Sequence, residues 1–171
     1  MTQLLYFYYG GHPDHRGRTL AEILRQDNHW LEYTHDYIQW LFPLETPSLA
    51  NRNAPLLTRR DIQTFHEDQL LRRHMTASFH RMLNFFGLEW SGDSVEKGEN
   101  WAMRRREWFD VDTHNSLRIS RMIESMYMLS LGQCAGAFAS EVLTLCEEES
   151  QCGISAKSQG IWLSLHSKYG A

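Results

Sequence analysis

An all-α fold is predicted for residues 1–171, as one globular helical domain of about seven helices behind a short extended N-terminal arm. Three observations carry that expectation. Apolar residues recur at spacings of three and four, as in Leu71, Met75, Phe79, Met82 and Phe86, and again in Ile119, Met122, Ile123, Met126 and Leu129, the period of a helix with one buried face. Helix-start signatures stand ahead of two such runs, Thr19 with Glu22 and Thr58 with Asp61, where a side-chain oxygen and a carboxylate three residues later satisfy the first amides. Strand patterning is confined to Leu4–Tyr9, an apolar run ending at Gly10-Gly11, and with no second strand to pair it this reads as an arm laid on the core.

In chain order, Thr19 caps a short helix from Leu20 to about Gln26. A second helix runs from about Asn28 to Leu41, with Leu31, His35, Ile38 and Phe42 on one face. Trp30, Tyr33, Tyr37, Trp40 and Leu41 widen the apolar surface until only Glu32, Asp36 and Gln39 remain as a polar strip, so this helix is expected to be central. Pro43 ends it, and the stretch to Pro55 is a loop by composition. From Thr58 to Phe86 the pattern gives a short and a long helix broken near His66-Glu67-Asp68, stopped by Gly87 in the left-handed region. Residues 91–97 read as a mobile polar loop. Four more helices are predicted near Glu99–Phe109, Asn115–Leu131, Gln133–Glu149 and Ile154–Lys168. Ala135, Gly136, Ala137 and Ala139 are small enough for a close neighbour.

Composition narrows the function classes. The chain is 42% hydrophobic and 22% charged, with 17 Lys plus Arg against 21 Asp plus Glu and a net charge of -4, which argues against a surface tracking nucleic-acid phosphates. The uncharged run from Ser125 to Ser140 is too short to span a bilayer. The N-terminus lacks the basic region of a secretory signal. Cys134, Cys146 and Cys152 are three in number without Cys-x-x-Cys spacing, as expected of reduced thiols in a cytoplasmic protein, with Cys146 as a buried small hydrophobe.

Three constellations could carry chemistry. His12, Asp14 and His15 hold ligand-type atoms, but a turn through Pro13 brings at most two together, so the reading is an Asp14 turn accepting backbone amides with Arg16 or Arg18 reaching a carboxylate. His35-Asp36 resembles, over two residues, the metal-binding dyad of HD-domain phosphohydrolases. That alternative needs a distant third ligand, and His35 reads instead as a satisfied core histidine. Arg104-Arg105-Arg106 between Trp101 and Trp108 suits base stacking and phosphate binding, but a solvated helix face is the favoured reading. No Gly-x-Ser-x-Gly, phosphate loop or catalytic-cysteine context is present. The chain therefore reads as non-catalytic, without metal or cofactor.

The stretch Leu31–Pro43, LEYTHDYIQWLFP, with Pro13–Leu20, Asn51, Ala54–Thr58, Met82–Gly87, Asn100-Trp101 and Asn115–Arg121, closely resembles the conserved domain of the opioid growth factor receptor family. Animal members of that family are described as nucleus-associated receptors for an enkephalin-type pentapeptide that restrains proliferation. The resemblance implies a receptor-like, ligand-binding domain for a peptide or a small polar or anionic ligand. Tyr33, Tyr37 and Trp40 are the expected apolar walls, and Gln39, Arg118 and Arg121 the expected polar groups, because such groups are costly to bury unpaired.

Overall fold

The computed structural model describes residues 1–170 and is mostly helical, with ten helices and one two-stranded hairpin among them. The all-α expectation holds in this sense. The chain divides into two compact units, Met1–Arg81 and Met82–Ala171.

The first unit opens with α1 (Gln3–Tyr8), where an extended arm was expected. Thr2 supplies the cap by accepting from the Leu5 amide at 3.3 Å, and its hydroxyl donates to Asp61 at 2.7 Å. Leu4, Leu5, Phe7 and Tyr8 are all buried, and the Tyr8 hydroxyl donates to the Leu41 carbonyl. An apolar run without internal alternation fits a buried helix turn as well as an arm, and the Thr2 cap decides between them. Next come α2 (Leu20–Leu24), with both halves of the Thr19–Glu22 capping box formed, and α5 (Arg59–Glu67), with the same box from Thr58 and Asp61.

The helix predicted from Asn28 to Leu41 is two short ones, α3 (Asn28–Tyr33) and α4 (Ile38–Leu41), separated by Thr34–Tyr37. After Pro43, a single parallel bridge from Leu44 to Leu56 closes the loop. Helix α6 (Gln69–Phe86) follows the predicted break at Asp68, and Leu71, Met75, Phe79, Met82 and Phe86 are completely buried. Gly87 stops it at φ 82°. A Cβ there would lie 2.9 Å from both the Arg104 Cβ and the Trp101 Cα.

In the second unit, β1 (Leu88–Ser91) and β2 (Ser94–Lys97) pair antiparallel with Trp90 opposite Val95. The segment expected to be a mobile loop is thus an ordered strand and turn. Gly92 in the left-handed region at φ 67° permits the two-residue connection. Then follow α7 (Trp101–Trp108), α8 (Asn115–Met128), α9 (Gly132–Glu148) and α10 (Ala156–Tyr169). Helices α8, α9 and α10 pack on one another, and β2 packs on α9. Trp162 of α10 is fully buried, its indole N–H donating to the Ser120 hydroxyl at 3.0 Å. The small residues of α9 do receive a close neighbour: a Cβ on Gly136 would meet the Tyr127 hydroxyl at 3.2 Å.

Among the described residues no helix is long and apolar enough to cross a membrane.

Candidate functional site

The turn after α1 is organised by one carboxylate. Asp14 Oδ1 accepts from the amides of Arg16 at 2.9 Å and Arg18 at 3.0 Å, while Oδ2 takes Arg18 Nε at 2.8 Å and the same guanidinium's Nη2 at 2.7 Å. This is the turn read from the sequence. Its consequence lies on the far side of Arg18, whose Nη1 donates to Asp36 Oδ1 at 2.9 Å and whose Nη2 reaches the Asp36 carbonyl at 3.4 Å. Asn51 Nδ2 approaches that carbonyl as well, at 3.4 Å, and donates to Gln39 Oε1 at 3.3 Å. In a continuous helix the Asp36 carbonyl would accept from the Trp40 amide. Here that amide goes to the Tyr37 carbonyl at 2.9 Å, and Thr34, His35 and Asp36, outside the helix, line a cleft.

The cleft has a volume of about 600 Å³ and is lined by Arg16, Arg18, Trp30, Tyr33, Thr34, His35, Asp36 and Ala50. Its charged base is internally paired. Asp36 Oδ2 faces His15 Nε2 at 3.4 Å and Arg16 Nε at 3.7 Å. Because Trp40 Nε1 donates to His15 Nδ1 at 3.1 Å, the proton of the neutral His15 ring sits on Nε2 and points at Asp36. Partial burial opposes ionisation of Asp36. The hydrogen bond and charge of Arg18, followed by the neighbouring His15 and Arg16, outweigh it and hold the carboxyl below its usual range. Arg18 lies 5.4 Å from the Trp30 ring centre, a cation–π contact. Arg16, whose side chain is 66% exposed, and Tyr33, 67% exposed, face outward, as does His35.

The residues expected to bind ligand divide accordingly. Tyr33 lines the cleft. Tyr37 and Trp40 are not open walls: both are buried, Tyr37 donating its hydroxyl to the Leu31 carbonyl at 2.8 Å and Trp40 its indole to His15. Gln39 is buried behind the cleft between the His35 carbonyl and Asn51. Arg118 and Arg121 belong to the second unit. Arg118 is buried on α8, 3.4 Å from Asn115 Oδ1 and 5.7 Å from the Phe85 ring centre. Desolvation lowers the pKa of Arg121, and the Glu124 charge partly restores it.

Two other expectations are corrected. His35 is exposed rather than a core histidine, because the break in the helix carries it out to the cleft rim. The three arginines of α7 do not form one solvated face. Arg104 is buried, with Nε donating to the Phe85 carbonyl at 2.6 Å, and Arg105 is tied to Asp110, Glu149 and the Ser150 carbonyl. Only Arg106 of the three is exposed. Among the described residues no three His, Cys, Asp or Glu side chains converge as metal ligands would, and Asp36 faces cations. The HD-like reading gains no support.

Sequence reasoning missed Asn51 as a structural partner of Asp36 and missed the outward role of Arg16. The signal for the first was present in loop composition alone, since an Asn in a Pro- and Ser-containing segment is a turn residue before it is anything else.

A family described as the opioid growth factor receptor (OGFr) conserved region matches residues 6–152. The chain belongs to this family. It is 36% identical over 121 residues to the human opioid growth factor receptor, an alignment covering 67% of this chain and 18% of that protein. The rat opioid growth factor receptor is 35% identical over the same share of this chain and 20% of its own length. Opioid growth factor receptor-like protein 1 of Xenopus tropicalis is also 35% identical, over 67% of this chain and 22% of its own. The matched part of this OGFr-family chain thus spans about a fifth of these relatives. No solved structure matches it. The cleft lies within the family region, since all its lining residues fall between 6 and 152.

Proposed function

We propose that this OGFr-family domain is a non-catalytic binding module for a peptide or small polar ligand carrying an anionic group, and that the cleft of the first unit is the site. One observation carries the reading. The acceptors at the base of the cleft, both Asp36 oxygens and the Asp36 carbonyl, are already engaged, whereas the Arg16 guanidinium is mostly exposed and held by one 3.7 Å contact. The unused groups are donors, so the ligand that fits brings acceptors. Tyr33 offers an exposed ring beside them at little entropic cost. Tyr37, Gln39 and Trp40 serve as the fixed backing of that wall. In the same reading Arg118 and Arg121 act within the second unit.

A cytoplasmic setting is part of the proposal, supported by Cys134, Cys146 and Cys152 standing outside any disulfide. The human and rat relatives are named as receptors for opioid growth factor, and that peptide is the first ligand to test, with its C-terminal amide as the control that lacks the carboxylate. Binding to the folded domain raises the melting temperature, by an amount that grows with the logarithm of ligand concentration above Kd. The expected result is a rise with the free-acid peptide, lost in Arg16→Gln. Equal shifts for acid and amide, or no shift with either at millimolar peptide, would remove the anionic-ligand reading.

A further inference from the structure

Two of the three cysteines are held together at a place no ligand-binding role uses. Cys146 lies in the last turn of α9, which ends at Glu148. Gln151 then takes the left-handed conformation at φ 62° and turns the chain back, setting the Cys152 thiol beside that of Cys146. Neither backbone position is loose. Cys146 is fixed by its helix, and Cys152 by its neighbour Gly153, whose amide donates to the Phe109 carbonyl at 2.8 Å. The approach there is so close that a Cβ on Gly153 would stand 2.2 Å from the Asp110 carbonyl oxygen. Between them Glu149 is held by Lys97 and Arg105, and the Ser150 carbonyl accepts from Arg105 at 2.6 Å. Both thiols are half-buried, so a small reagent can reach them.

We propose that Cys146 and Cys152 form a thiol-oxidation site, closing to an intramolecular disulfide when the domain meets a low-molecular-weight disulfide. The Cys152 thiolate attacks one sulfur of the reagent, forming a mixed disulfide and expelling one reagent thiolate. Cys146 then loses its proton to solvent and attacks the Cys152 sulfur, and the second reagent thiolate leaves. Two protein thiols are oxidised and one reagent disulfide is reduced to two thiols, so atoms and electrons balance. Burial, reinforced by the neighbouring Cys152, pushes the Cys146 thiol up. That favours Cys152 as the group that attacks first and Cys146 as the one that resolves. Cys134 sits elsewhere on α9, half-buried and likewise pushed up by burial, and takes no part.

The test is incubation of the reduced protein with oxidised glutathione, followed by alkylation and peptide mapping, in buffer and in urea. The expected product has lost two hydrogens, carries a 146–152 cross-link and keeps Cys134 alkylatable. It should form at least about ten-fold faster in the folded protein than in urea, since the pair is pre-positioned. Cys146→Ser should instead accumulate the glutathione adduct on Cys152. Glutathione adducts on wild-type Cys146 and Cys152 without cross-linking, a cross-link involving Cys134, or equal rates folded and unfolded would each overturn the proposal.

Discussion

Arg18 binds Asp14 and Asp36 at once, its Nη2 2.7 Å from one carboxylate and its Nη1 2.9 Å from the other. One guanidinium thereby joins the turn after α1 to the break between α3 and α4, residues that are 18 apart in sequence. The Asp14 side chain is wholly buried. Replacing Arg18 by Met leaves that carboxylate without its counter-charge, and breaking a buried pair from one side typically costs about 3 to 5 kcal/mol. Arg18 is itself partly exposed, so the lower end, about 3 kcal/mol, is expected in urea unfolding. A change under about 1 kcal/mol would mean that the backbone amides of Arg16 and Arg18 suffice to hold Asp14.

Asp36 gives the clamp a pH dependence of known sign. Its folded pKa lies below the ordinary carboxylate value. The stability it contributes is therefore complete above the unfolded pKa of about 3.9 and is lost as pH falls through the lower, folded value. Asp112 behaves alike: burial opposes ionisation, but hydrogen bonds from Ser116, Ser155 and Ser158 hold it low. In Asp36→Asn the acid limb of a stability-against-pH curve should be shallower than in wild type below about pH 4. Superimposable acid limbs would assign the whole acid transition to other carboxylates.

Glu141 has the opposite sign. Burial first, then the charges of Glu148 and Glu96, push it up against the pull of Lys97. A carboxylate with a raised folded pKa costs stability as pH rises from the unfolded value of about 4.3 through the folded one. Glu141→Gln should therefore melt higher than wild type at pH 7, and the difference should vanish below about pH 4. A variant less stable at pH 7 would show that the Lys97 attraction dominates.

The two helix starts and the stripe from Leu71 to Phe86 were legible because each is written within a few residues, in a cap or a period. The break between α3 and α4 was not. Residues 31–42 satisfy a helical period throughout, and what interrupts them is competition for the Asp36 carbonyl from Arg18 and Asn51, 18 and 15 residues away. The cleft exists because of that break, so the long-range contact that hid the break hid the site as well. Tyr33 was legible as a candidate, whereas the burial of Tyr37 and Trp40 was decided by the same interruption. The hairpin carried a local signal, Gly92-Asp93 between Trp90 and Val95, of the two-residue kind that joins strands.

Tyr33 and Tyr37 separate surface from core within five residues. Tyr33 is 67% exposed, and Tyr37 is wholly buried with its hydroxyl on the Leu31 carbonyl. Tyr33→Ala should change stability by no more than about 0.5 kcal/mol, while Tyr37→Ala should cost about 3 to 5 kcal/mol, the range for a deleted core aromatic ring. Tyr37→Phe isolates the hydrogen bond at about 1 kcal/mol. Comparable losses for Tyr33 and Tyr37 in thermal unfolding would contradict this division.

The arginines of α7 provide the last case, because adjacent residues of one type are placed in three environments. Arg104 is buried, donating to the Phe85 carbonyl at 2.6 Å with its guanidinium 4.8 Å from the Phe85 ring centre. Arg106 is exposed. Glutamine at 104 is shorter by the guanidinium's reach, so the Phe85 carbonyl loses a charged donor and the ring its cation, a cost of about 1.5 to 3 kcal/mol for a buried charged hydrogen bond. Glutamine at 106 removes only a solvated charge and should be neutral within about 0.5 kcal/mol. The two single variants, compared by urea midpoint at equal m-value, should therefore differ by at least about 1 kcal/mol, in contrast to the uniform tolerance expected of a solvated helix face. Equal midpoints would place Arg104 in solvent beside Arg106.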